Sequence, residues 1–188
     1  MKSIASKGCF ASLAGVVSLV APSLAQEAHV HSPYAGQQSR EIKSLSEEEV
    51  SAYRRGEGMG FALLGELNHY PGPKHALELA DSLGLDQATI AKVRAVFETM
   101  QAEAIRLGNL YIANEAAFDR SFAERAIDPE GVRERARQSA LVLAELRATH
   151  LNAHLVVRDL LGEDAVARYD QLRGYHDGGH AVPRGVRP

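Results

Sequence analysis

Apolar residues recur at intervals of three and four along most of this chain and nowhere alternate with polar ones over a useful length. The pattern predicts helices and no sheet. The longest run extends from Asp86 to about Arg125, where Ile90, Val93, Phe97, Met100, Ala104, Leu107, Tyr111, Phe118 and Phe122 form one stripe. About 40 residues at about 1.5 Å each make a helix near 60 Å long. Ile127-Asp128-Pro129 stops it, and Asp128 with Pro129 and Glu130 starts a second long helix that continues to about Leu161. Its apolar positions are read as Val132, Ala136, Ala140, Leu143, Leu146, Val157 and Leu161. A short turn between two long helices implies antiparallel packing, each covering the other's stripe. A last short helix from Glu163 to about Arg173 is expected to fold back with Val166, Tyr169 and Leu172 facing inward.

Ahead of the long helices the signals are shorter. Ser46 followed by Glu47, Glu48 and Glu49 predicts a capping box and a helix to about Arg55. Gly56, Gly58 and Gly60 interrupt it, and Phe61, Leu64 and Leu67 mark a second short helix ending near His69. Pro71-Gly72-Pro73 forces a bend, with Pro73 opening a helix whose apolar positions are Leu77, Leu79 and Leu83. Residues 26–45, with the turn-prone Ser32 to Gly36, read as extended or disordered, and residues 176–188 as a flexible tail. The expected fold is all-α: an elongated antiparallel long-helix hairpin over residues 46–175 with short flanking helices.

The first 25 residues change the picture of where the chain works. Lys2 and Lys7, the apolar stretch Cys9 to Val20 and small residues before Ala25 have the form of a secretory signal peptide, cut after Ala25. The stretch is too short and too rich in Gly, Ala and Ser to span a bilayer, so no transmembrane segment is expected after cleavage. Cleavage leaves 163 residues, enough for one domain, and removes Cys9, the only cysteine. It also removes Lys2 and Lys7, leaving 19 basic against 24 acidic residues, a formal net charge of −5. With no basic tract to neutralise phosphates, a nucleic-acid partner is not expected.

Candidate chemistry is sparse. There is no Gly-x-Ser-x-Gly, no thiol nucleophile after cleavage, no His-Glu-x-x-His and no phosphate-binding glycine loop, so the chain does not read as an enzyme, and no cofactor is required. Glu66 and His69 match the Glu-x-x-His pair of di-iron bundles, but only one copy exists; Glu66 is expected to be solvated and His69 to cap the helix end. The eight histidines fall into pairs. His150 and His154 lie one helical turn apart, so their rings can converge on zinc, copper or nickel, or flank the apolar seam as half-buried polar residues. His29 and His31 form an N-terminal pair; cleavage after Gln26 would place His29 third, with the amine and two amides, in a square-planar copper or nickel site, whereas cleavage after Ala25 places it fourth. Met59, Phe61, Leu63 and Leu64 are candidates either for covering the hairpin or for an exposed patch that holds unfolded chains.

A leucine-glycine-leucine entry (Leu83-Gly84-Leu85) into a long helix, a long antiparallel return, a short final helix, a signal peptide and no other cysteine resemble the Spy and CpxP group of periplasmic proteins, with their heavy-metal-linked relatives ZraP and CnrR. The resemblance covers about Leu77 to Tyr175. The group's Leu-Thr-x-x-Gln motif corresponds here to Leu85-Asp86-Gln87-Ala88-Thr89 and Leu161-Gly162-Glu163-Asp164-Ala165, which depart from it; Asp86 retains the capping role of the threonine. The resemblance implies a periplasmic, ATP-independent, chaperone-like stress protein: a homodimer shielding unfolded or misfolded envelope proteins. The alternative it implies is a heavy-metal sensor or sequestering protein.

Overall fold

In the computed structural model, residues 32–175 are described, and among them every regular element is helical. Ser32–Ala35 close a turn through the Ala35 N–H and the Ser32 carbonyl, 2.9 Å apart, and belong to a unit separate from the helical one that begins at Gly36. The signal segment, His29, His31 and residues 176–188 lie outside the described residues.

The helical unit opens with a 3-10 turn, Gln37–Ser39. Helix α1 (Glu47–Arg54) starts on the expected capping box: Ser46 Oγ accepts from the Glu49 N–H at 3.1 Å, and Glu49 Oε2 accepts from the Ser46 N–H at 2.8 Å. The glycine-rich segment then turns, and the single-turn α2 (Leu63–Glu66) follows. The helix expected after Pro73 is split into α3 (Pro73–Glu78) and α4 (Ala80–Leu83), because Leu79 leaves helical geometry at φ −101°, ψ 8°.

Two long helices follow. In α5 (Gln87–Ala123), Asp86 Oδ1 caps the first turn by accepting from the Thr89 N–H at 2.7 Å. In α6 (Pro129–Arg173), Asp128 Oδ1 does the same for the Gly131 N–H at 2.8 Å. Gly162 breaks α6 with φ 73° and ψ 171°, a backbone state open to glycine, at the boundary expected between the second long helix and the final short one.

Burial corrects three expectations. The segment before α1 is not wholly extended or disordered: Ile42 and Leu45 are buried in one cluster with Tyr53, Ala104, Leu107, Ile112, Val142 and Leu146. On α6 the expected Leu146 and Val157 are buried, but the inward stripe otherwise runs through Ser139, Val142, His150 and Ala153, whereas Ala136 and Ala140 are exposed. A serine can occupy that stripe because Ser139 Oγ donates to Glu115 Oε1 at 2.6 Å. Leu172 is 46% exposed rather than inward; Val166 and Tyr169 carry the packing of the final segment.

Helices α5 and α6 pack against each other. Glu115 meets Ser139, Leu107 shares a cluster with Leu146, and Val93 shares one with Val157 and Ala76. Gly108 lets α1 approach α5, since a Cβ there would lie 2.4 Å from the Tyr53 carbonyl oxygen. Tyr53 packs on Tyr111 with ring centroids 4.9 Å apart, and burial pushes the Tyr111 hydroxyl up to about 12, with the Glu115 charge adding to it. No helix among the described residues is long and apolar enough to cross a membrane.

Candidate functional site

The polar centre of the molecule is Glu66, at the end of α2, which is 7% exposed rather than solvated. A buried carboxylate must be met by donors, and this one is enclosed by them. Its Oε1 accepts from the Tyr169 hydroxyl at 2.5 Å and from the Tyr175 hydroxyl at 3.3 Å, with Arg173 Nε at 3.5 Å and His75 Nδ1 at 3.4 Å. Its Oε2 accepts from the Gly72 N–H at 3.1 Å, and His154 Nδ1 lies 3.8 Å away. Tyr169 is fully buried; burial, then its bond to Glu66, holds its hydroxyl well above the usual tyrosine range, which keeps it a donor.

Glycine makes the enclosure possible. At Gly72 a Cβ would lie 3.0 Å from His154 Cε1 and 3.3 Å from Glu66 Oε2, so a side chain there would push into both. The His154 ring is fixed from the other side, because Nδ1 donates to the Tyr70 carbonyl at 2.7 Å. A carbonyl only accepts, so Nδ1 carries a proton in this contact.

His150 is 3% exposed and stacks on Phe61, ring centroids 5.9 Å apart and planes 13° off parallel. Burial, and secondarily the neighbouring His154, lower its pKa from 6.5, so it is held neutral. Its Nε2 is buried without a hydrogen-bond partner among the described residues. His69 does not cap the α2 carbonyls: with φ 67° it turns away, and its Nδ1 sits 2.7 Å from Asp170 Oδ2 on the final segment.

Beside this network lies a cavity of about 590 Å³. Glu66, His75, His150, His154, Arg173 and Tyr175 form its polar side, and the α5 residues Phe97 and Met100 form part of its apolar side. The tertiary fold thus brings His150 and His154 together with His75, which the spacing alone did not join to them. Among the described residues, no group of three or more His, Cys, Asp or Glu side chains could hold a metal ion. His150 and His154 therefore supply two ligands at most from within this region.

The four candidate apolar residues are divided. Phe61 packs against the core. Met59, Leu63 and Leu64 are 39%, 56% and 57% exposed, and Leu67, on the same short segment, is 54% exposed. Sequence reasoning missed Glu66, Tyr169, Arg173 and Tyr175 as one site. The available signal was a glutamate inside a leucine-rich turn, beside a Pro-Gly-Pro bend that draws the backbone close.

No family model, no curated protein and no solved structure matches this chain.

Proposed function

We propose that this chain is an exported, non-catalytic binding protein that shields unfolded envelope proteins without ATP. The observation that carries this reading is the cluster of exposed apolar side chains at Met59, Leu63, Leu64 and Leu67, all within residues 59–67. Exposed leucines normally cost solubility unless they serve a contact. Here the segment bearing them is pinned beneath by Glu66, so the apolar side chains stay displayed instead of collapsing inward.

In this reading α5 and α6 form an elongated antiparallel hairpin, which supports the display surface but encloses little interior. A second apolar stripe supports a homodimer: Leu141, Ala148 and Leu155 recur every seven residues on the exposed side of α6, the spacing of a helix–helix seam. The test is light scattering of an unrelated unfolding protein at a near-stoichiometric ratio of this chain. Protection is expected from the parent and is halved or worse in Leu64→Asp/Leu67→Asp with unchanged helicity. Absence of protection by the parent removes the reading.

A second reading is supported by the location of His75, His150 and His154 in the lining of one cavity, with His150 Nε2 unpartnered among the described residues. It is a heavy-metal sensor or sequestering protein in which His150 and His154 hold zinc, copper or nickel, with further ligands from the His29/His31 segment or a second copy. Titration of each metal into the parent and into His150→Ala/His154→Ala tests it, and equal affinities eliminate this pair.

A further inference from the structure

The cavity beside Glu66 has features that the shielding of unfolded chains does not require. Its volume, about 590 Å³, falls within the roughly 300–1,000 Å³ typical of small-molecule sites. One side is apolar, built by Met59, Ala62, Leu63, Phe97 and Met100. Leu64 and Leu67, the other leucines of the exposed patch, are not in its lining.

The charges around it do not cancel. Five formally charged side chains line the cavity: Arg55, Glu57, Glu66, Lys74 and Arg173. Arg55 Nε pairs with Glu57 Oε1 at 2.8 Å, and Arg173 Nε lies 3.5 Å from Glu66 Oε1. Lys74 remains, with no ion pair among the described residues, beside the half-buried His75 at the start of α3. The two carboxylates present no free charge, since one is neutralised by Arg55 and the other is enclosed by Tyr169, Tyr175, Arg173 and the Gly72 N–H. An apolar wall beside one uncompensated cation is complementary to an apolar body carrying one negative charge.

We propose that this cavity binds a small amphipathic monoanion, specifically a medium-chain carboxylate, with its chain against Phe97 and Met100 and its carboxylate at Lys74 and His75. The site shares Met59 and Leu63 with the exposed patch but not Leu64 and Leu67, so substitutions at those two residues separate it from the shielding of unfolded proteins.

Decanoate below its micellar concentration serves as the probe, titrated calorimetrically into the full chain. Saturable binding of one decanoate per chain is expected. Lys74→Glu weakens it at least tenfold, Lys74→Arg restores it, and Leu64→Asp leaves it unchanged. Lys74 is exposed, so both of its variants should keep the parent's helicity. The proposal is overturned if decanoate does not bind at millimolar concentration, if Lys74→Glu binds as the parent does, or if decyltrimethylammonium binds equally well. Loss of decanoate binding in Leu64→Asp also overturns it, by moving the contact to the surface patch.

Discussion

The Tyr169 hydroxyl donates to Glu66 Oε1 at 2.5 Å across 103 residues of sequence, tying the single-turn helix α2 to the last segment of the chain. Both groups are buried, and α2 is too short to hold itself in place, so this bond and its neighbours fix its position. Tyr169→Phe removes a hydrogen bond to a buried charge and is expected to cost about 1.5–3 kcal/mol. Glu66→Ala should cost more, because it also leaves the Gly72 N–H without its acceptor. Urea denaturation followed by circular dichroism measures both, and an unchanged midpoint in Tyr169→Phe would contradict a structural role for the bond.

Gly108 sits inside α5, where alanine is the better helix former by about 1 kcal/mol. Contact reverses that preference, since the added Cβ would lie 2.4 Å from the Tyr53 carbonyl, a backbone atom that cannot swing away. Gly108→Ala should therefore destabilise, with overpacking of about 1–3 kcal/mol outweighing the propensity gain. Thermal melts decide it: a melting temperature equal to or above the parent's rules out this close approach of α1 to α5.

His150 sets a pH dependence of stability. Its folded-state pKa is lowered from 6.5 by burial and then by His154, so below about pH 6.5 the unfolded chain binds a proton that the native ring resists. Its contribution is full above pH 6.5 and is lost as pH falls towards and through the lowered native value. His150→Phe, which preserves a flat ring against Phe61, should flatten the fall in melting temperature between about pH 7 and pH 5. If parent and variant fall in parallel, His150 is not the group responsible.

Leu141 and Leu155 are 55% and 49% exposed and lie two heptads apart on α6. If they form the dimer seam, Leu141→Asp/Leu155→Asp should shift the sedimenting species from dimer to monomer while leaving helicity intact, because neither residue is in the core. A parent that sediments as a monomer at tens of micromolar would refute the seam directly.

The sequence by itself determined the all-helical class, the two long helices and most of their boundaries. Those features are local: a hydrophobic period of 3.6, aspartate caps at Asp86 and Asp128, the Ser46–Glu49 capping box and the break at Gly162 act within a few residues of themselves. Tertiary structure alone decided the register of the inward face of α6. Val142 with Ser139, and Leu143 with Ala140, are adjacent choices of similar period, and only the Glu115 acceptor on α5 makes a buried serine tenable. It likewise decided the burial of Glu66. The sequence shows a glutamate in a short leucine-rich turn; its donors come from Gly72, Tyr169 and Tyr175, and no local pattern encodes a carboxylate's partners 103 and 109 residues away.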